Sequence, residues 1–265
     1  MEIYKNFAAV YDLFMDEVPY TEWCRQIKTL LFSAGIKSGI VADLGCGTGS
    51  LTQQLSKEGY DMIGIDNSYD MLDIALSKNV LSGTDILYLC QDIREFELYG
   101  TCAAIISRCD TLNYITKFEE LVQMFKLVNN YLDPEAPFIF DCNSVYKYES
   151  ILADNVFAEN REEGSFIWEN DYNRQSCINS SSLTFFIRDK VKSTDLKALN
   201  EVDSVYRRFE ELHLQRAYSL EELKKAAEMS GLLWGEVYDA DSFAEVKQDT
   251  QRYLICLYEN GKRER

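Results

Sequence analysis

VADLGCGTGS, residues 41–50, places Gly45, Gly47 and Gly49 directly behind a short apolar run. Glycines so spaced let a backbone come close to a ligand where a strand turns into a helix. On either side lie further short apolar runs: GIVADLG (39–45), YDMIGID (60–66), ILYLCQD (86–92), CAAIIS (102–107) and PFIFDC (137–142). They read as parallel strands, which are apolar throughout because helices cover both faces of their sheet. SLTQQLSKEG (50–59), SYDMLDIALSKN (68–79) and KFEELVQMFKLVNNYLD (117–133) supply the crossover helices, the last with Phe118, Leu121, Val122, Phe125 and Val128 on one side and an end before Pro134. A helix from Tyr20 to Phe32, carrying Trp23, Ile27, Leu30 and Leu31, precedes them. The fold class is therefore α/β, with an open sheet.

The pattern changes near Asn143. GSFIWEND (164–171), SSLTFFIRD (181–189) and VYRRFEELHLQRAY (205–218) read as strands, with DKVKSTDLKALNEVD (189–203) as a long connection. An antiparallel sheet inserted into the α/β domain is expected, dividing the chain into 1–143 with 218–265 and an insertion at 144–217. Ser219 and Glu222 form a capping box that starts a helix ending at Gly231, after which LLWGEVYD (232–239) and RYLICLYEN (252–260) return to strands.

Composition narrows the function. The 265 residues can bury a full core, and 27 Lys plus Arg against 44 Asp plus Glu give a formal net charge of -17 without a basic cluster. Such a surface repels phosphate backbones, so no nucleic-acid partner is expected and a small or cationic substrate is easier to accommodate. No apolar stretch approaches the ~20 residues that span a bilayer, and the opening Met1-Glu2-Ile3-Tyr4 leads to the expectation of no signal segment. The eight cysteines include no CxxC pair and read as reduced thiols in a cytoplasmic protein, with no metal site expected.

Taken position by position, the glycine loop departs from the dinucleotide fingerprint G-x-G-x-x-G. Ser50 stands where the third glycine belongs, and Gly49 comes one position early. Asp43 adds a carboxylate where a pyrophosphate prefers none, whereas a phosphate-free, cationic cofactor such as S-adenosyl-L-methionine tolerates it. Asp66, at the end of the second strand, can accept both ribose hydroxyls. Asp92, at the end of the third, can receive the adenine amine, with Met71 or Ile93 against the ring. Carboxylates at successive strand ends point to a cofactor site at the carboxyl edge of the sheet.

DLGCGTG (43–49), GIDNSYDML (64–72), CQDIREF (90–96) and SRCDTLNYI (107–115) together resemble the motif series of class I S-adenosylmethionine-dependent methyltransferases. The resemblance implies a Rossmann-like seven-stranded mixed sheet whose last strand, RYLICLYEN, is antiparallel, and S-adenosyl-L-homocysteine as product. It implies contacts to the methionine moiety from Asp43 and the backbone of Gly45, Cys46, Gly47 and Gly49, and to the nucleoside from Asp66, Asn67, Met71, Asp92 and Ile93. YKNFAAVYDLFMDEVPYTEW (4–23) and FEELHLQRAYSLEELKKAAEMSGL (209–232) are similar to a small-molecule subgroup, the glycine and amino-sugar N-methyltransferases, in which an inserted sheet covers the active site. Unlike the nucleic-acid members, the chain has no Asn-Pro-Pro-Tyr strand end.

Direct methyl displacement onto nitrogen or oxygen needs an aligned lone pair and a dry pocket, with a base when the acceptor is charged or a hydroxyl. Asp110, Asn113 and Tyr114 after the fourth strand are candidates for the methionine end or the substrate, or for loop bonding. Tyr4 and Tyr11 stand in the segment that folds over the site in the resembled subgroup, Tyr4 for the substrate and Tyr11 as a catalytic and cofactor-binding candidate, with its hydroxyl toward the sulfonium region or accepting a substrate hydrogen bond. His213, the only histidine, is the catalytic base candidate. Alternation sets Phe209, Glu211, His213 and Gln215 on one strand face and Tyr206, Leu212, Leu214 and Arg216 on the other. The first face lines the pocket if it looks onto the α/β domain. Arg216 can bind a substrate carboxylate or pair with an acidic neighbour. The rival readings are an NAD-dependent oxidoreductase and a non-catalytic regulatory protein; for the methyltransferase a monomer or homodimer is expected.

Overall fold

The computed structural model describes residues 8–188 and 205–262. Tyr4 and the connection expected at 189–203 lie outside them. Helices α1 (Ala8–Phe14) and α2 (Tyr20–Ser33) lead into β1 (Ile40–Leu44), α3 (Ser50–Lys57), β2 (Asp61–Asp66), α4 (Tyr69–Ser82), β3 (Leu87–Cys90), β4 (Ala104–Ser107), α5 (Phe118–Tyr131) and β5 (Pro137–Asn143). Then follow β6 (Val156–Asn160), β7 (Gly164–Asn173), β8 (Ile178–Arg188), β9 (Tyr206–Arg216), α6 (Leu220–Ser230), β10 (Leu233–Asp239) and β11 (Arg252–Tyr258).

Seven strands form one sheet in the order β10-β11-β5-β4-β1-β2-β3. β1 to β5 pair in parallel, and β11 runs antiparallel to both β5 and β10. Each inner strand deals its side chains alternately to two layers, as a period of two requires. Ala42, Leu44, Ile105, Phe138, Phe140, Ile255 and Leu257 pack with Leu121, Phe125 and Val128 of α5 and Leu223 and Ala227 of α6. Val41, Ala104, Ile106, Ile139, Leu254 and Cys256 pack with Ile27 and Leu31 of α2 and Leu51 and Leu55 of α3. Burial on both sides is why these runs contain almost no polar residue.

The order places β1 between β2 and β4. Loops leaving β1 and β4 at their carboxyl ends diverge there and open the crevice in which open α/β sheets bind ligands. α6 starts with the expected capping box between Ser219 and Glu222 and stops at Gly231 in the left-handed conformation, φ 84°.

β6-β7-β8-β9 form a separate antiparallel sheet. In the chain it lies between β5 and α6. β6 was not legible as a strand: VFAEN is short, sits at the sheet edge and alternates only between exposed and half-buried positions. A π-type turn, Lys147–Leu152, joins β5 to this sheet and was likewise not expected. Tyr148 of that turn is fully buried and stacks on Tyr172 of β7 at 5.9 Å. Phe14 of α1 meets Phe166 edge-on at 5.2 Å and lies 5.8 Å from Phe185, so α1 packs beneath the same sheet.

Candidate active site

The crevice holds a cavity of about 470 Å³. On one side are Gly45 and Gly47, Asp66, Asn67 and Met71, and Asp92, Ile93 and Arg94, which are the ends of β1, β2 and β3 with the start of α4. On the other are Cys109, Thr111, Tyr114, Ile115 and Thr116 beyond β4, Tyr11 of α1, and Leu212 and Leu214 of β9. A neighbouring cavity of about 40 Å³ is lined by Tyr11, Tyr20, Trp23, Asp43, Cys46, Thr48, Arg108 and Cys109 among others.

The three loop glycines do different work. A side chain on Gly45 would run into Thr111, and one on Gly49 would run into Tyr88. Gly47, at φ 53°, has nothing within 4 Å of where a Cβ would stand, yet it lines both cavities. The loop is thus clamped at both ends and open in the middle, leaving room for a ligand against the Gly47 backbone. Gly49 itself caps α3 and lines neither cavity.

Asp66 accepts hydrogen bonds from the Gly47 and Ser68 backbone amides, each at 2.9 Å. Burial raises its pKa above the usual carboxylate range, opposed by those amides. Asp43 accepts from Thr52 Oγ1 at 2.6 Å. Its pKa is pushed up to about 7, first by burial, with Thr52 opposing and Asp66 adding to the rise. Asp92 goes the other way: the Arg94 guanidinium, 2.9 Å from Oδ1 and 3.1 Å from Oδ2 through Nε, holds it below the usual range. Arg94, Leu212 and Leu214 were not anticipated in the site. An arginine two residues beyond a strand-end aspartate was the readable signal for the first.

Several expected site residues stand elsewhere. Asn113 is fully buried, accepts from the Asn143 amide at 2.8 Å and donates to the Arg216 carbonyl at 2.8 Å, tying β5 to the end of β9. Arg216 pairs with Glu222 at 2.8 Å and lies over the Tyr218 ring, away from the cavity lining. Asp110 binds Arg252 at 3.2 Å and Gln215 Nε2 at 2.6 Å, behind the cavity. Cys109 and Asp110 both adopt left-handed backbone, φ 64° and 50°, and this turn brings Cys109 to the lining of both cavities. Burial, with Asp110 next in effect, pushes the Cys109 thiol up to about 12. Tyr11 Oη lies 3.8 Å from its Sγ.

The alternation expected on β9 holds, with the polar side turned inward. Glu211, His213 and Gln215 are buried, while Leu212 and Leu214 are 42% and 46% exposed. His213 meets Tyr114 of the α/β domain and does not itself line the cavity. Tyr114 Oη is 2.9 Å from His213 Nδ1.

Residues 41–135 match a family described as "Methyltransferase domain". YqeM of Bacillus subtilis (strain 168), a protein carrying a methyltransferase name, is 33% identical over 230 residues, 86% of each chain. A crystal structure of an S-adenosylmethionine-dependent methyltransferase from Clostridium acetobutylicum ATCC 824 superposes with TM-score 0.84 at 30% identity, over 97% of this chain and 99% of that one. The chain belongs to the S-adenosylmethionine-dependent methyltransferases. The methyltransferase also shares its fold with the sugar N-methyltransferase KedS8 from Streptoalloteichus sp ATCC 53650, with TM-score 0.72 and 16% identity over 96% of this chain and 93% of that one. Its cofactor is S-adenosyl-L-methionine and its product S-adenosyl-L-homocysteine, and the cradle at Gly47 with the half-buried Asp66 carboxylate beside it suits a phosphate-free nucleoside. Among the described residues, no group of three or more His, Cys, Asp or Glu is arranged to hold a metal ion, and no helix is long and apolar enough to cross a membrane. All eight cysteines are free.

Proposed function

We propose that this methyltransferase transfers a methyl group to a nitrogen or oxygen of a small molecule, and that residues 144–217 form a lid over an α/β domain made of 1–143 and 218–265. The carrying observation is the size of the cavity and the elements that bound it. A volume of about 470 Å³, bounded by the nucleotide-binding strand ends and by Leu212 and Leu214 of the four-stranded sheet, matches a cofactor with a small acceptor rather than a polymer. The net charge of -17 supports the same reading, since it disfavours polyanionic substrates. So does the shared fold with a sugar N-methyltransferase.

In this reading Asp66 holds the ribose, Asp92 and Asn67 lie by the base, Met71 and Ile93 take its faces, and Gly45 to Gly47 carry the methionine part. When bound, the cofactor supplies an electrophilic methyl on a sulfonium. The chain supplies positioning: Leu212, Leu214 and Ile115 give the cavity an apolar wall, and the Tyr11 hydroxyl marks the transfer point beside Cys109. The enzyme is assigned to the cytoplasm, as a monomer or homodimer. Purified protein is expected to bind S-adenosyl-L-homocysteine and not NAD. A panel of amines, amino sugars and small acids screened for S-adenosyl-L-homocysteine release is expected to contain an acceptor; turnover only on nucleic acid or protein would overturn the small-molecule assignment.

A further inference from the structure

Three buried or cavity-lining side chains form a line from the cavity into the lid. Tyr114, on the 3-10 turn Thr111–Tyr114, lines the cavity, and its hydroxyl meets His213 Nδ1 at 2.9 Å. His213 Nε2 lies 3.3 Å from Glu211 Oε2. The phenol and imidazole rings meet at 65° with centroids 5.8 Å apart, so the contact runs edge to face, with the hydroxyl at the ring nitrogen. His213 is 3% and Glu211 8% exposed. The period of two along β9 places Glu211 and His213 on the same face, and Ser181 of β8 pairs across from His213.

We propose that Tyr114, His213 and Glu211 form a proton-accepting relay for the methyl acceptor, with Tyr114 as the catalytic residue and His213 and Glu211 as positioning residues acting through it. This rests on the small-molecule reading above and narrows the acceptor class to groups that must lose a proton, an ammonium or a hydroxyl. For the relay to run, His213 must hold a single proton on Nε2, the nitrogen 3.3 Å from Glu211 Oε2, so that the Nδ1 lone pair faces the phenol. As the acceptor's N–H or O–H proton passes to the Tyr114 oxygen, the phenolic proton passes to Nδ1. The result is an imidazolium beside a carboxylate, a neutral tyrosine, and a lone pair left on the acceptor atom. Because His213 and Glu211 are themselves buried, this pairing confines the new charge where a counter-charge already stands. The lid thereby takes part in the chemistry, because both positioning residues belong to β9.

Because His213 is the only histidine, labelling the full chain with ¹⁵N-histidine gives a single imidazole to read. With S-adenosyl-L-homocysteine bound, the expected state is a proton on Nε2 and a hydrogen-bonded Nδ1, whose resonance moves in Tyr114→Phe. A proton on Nδ1 would overturn the relay. In turnover on the acceptor found in the panel, Tyr114→Phe and His213→Gln should each lower kcat about 100-fold, the ordinary scale of general-base catalysis. The acceptor KM and the S-adenosyl-L-homocysteine affinity should stay within about threefold, and the double variant should be no slower than either single one, as for residues acting as a unit. Raised KM with unchanged kcat, or losses that multiply, would reduce the trio to a brace between lid and domain. Glu211→Gln, nearly isosteric, should lower kcat about 10-fold and serves if Tyr114→Phe does not fold. A folded protein that binds no S-adenosyl-L-homocysteine would count against the site reading itself, whereas the tautomer result bears on the relay alone.

Discussion

The Gly47 amide donates to Asp66 Oδ2 at 2.9 Å, so the glycine loop after β1 and the acidic end of β2 are held together before any ligand arrives. Asp66 Oδ1 is fixed in the same way by the Ser68 amide. A carboxylate positioned by two backbone donors loses little freedom when it also accepts ribose hydroxyls. Asp66→Ala is expected to weaken S-adenosyl-L-homocysteine binding about 10- to 100-fold, the scale of a lost charge-assisted hydrogen bond. His213→Ala should leave it within about threefold. Isothermal titration of both variants checks this, and equal affinities would remove Asp66 from the ribose.

The three loop glycines predict two different phenotypes. Gly45 and Gly49 combine φ of 74° and 73° with neighbours, Thr111 and Tyr88, that an added methyl would strike. Their alanine variants should lose stability by at least about 2 kcal/mol, from left-handed strain plus the clash. Gly47→Ala carries the strain, about 1–2 kcal/mol, but meets open space. It should fold and lose cofactor affinity instead. Thermal unfolding with and without S-adenosyl-L-homocysteine separates the two: a Tm that rises with ligand in Gly47→Ala as steeply as in the wild type would contradict the cradle.

What could be read from the sequence was what short-range rules decide. The glycine loop, the strand-end Asp66 and Asp92, the Ser219–Glu222 capping box and the helical stripe of α5 each depend on residues a few positions apart, so spacing alone exposes them. The mixed sheet followed from doubly buried runs together with the family resemblance. The fates of Asn113, Arg216 and Asp110 were not legible, because their partners are far away in the chain: the Asn143 amide, Glu222 behind a turn, and Arg252 with Gln215. A polar residue after a strand looks the same whether it meets a ligand or ties two segments together. For β9 the period gave the two faces correctly, but which one turns inward depends on how the sheet docks against α1 and the Tyr148 turn. Docking buried the polar side and left Leu212 and Leu214 at the cavity.

Asn113 is therefore expected to act on stability rather than on ligand binding. Its amide serves the Asn143 N–H and the Arg216 carbonyl in a fully buried position. Asn113→Ala leaves both unsatisfied and should cost about 2–4 kcal/mol, a fall in Tm of about 5–10 °C for a chain of this size. At a temperature where the variant is folded, S-adenosyl-L-homocysteine affinity should match the wild type. A large loss of affinity with unchanged Tm would return Asn113 to the binding site.

Asp43 predicts a pH dependence of definite sign. Its pKa is raised from 3.8 to about 7, chiefly by burial. Between about pH 4 and 7 the native state holds a proton that the unfolded chain has already released. Stability from this group therefore falls as pH rises through that window, and is level below and above it. The full effect is at most about 4 kcal/mol. Half-buried Asp66, raised in the same direction, adds a slope of the same sign. Asp43→Asn keeps an acceptor for Thr52 Oγ1 and removes the ionisation, so its urea-unfolding free energy should exceed the wild type's at pH 8 and converge with it near pH 4. Parallel curves for the two proteins across that range would mean that Asp43 ionises without penalty, through a solvent path to the small cavity beside the glycine loop.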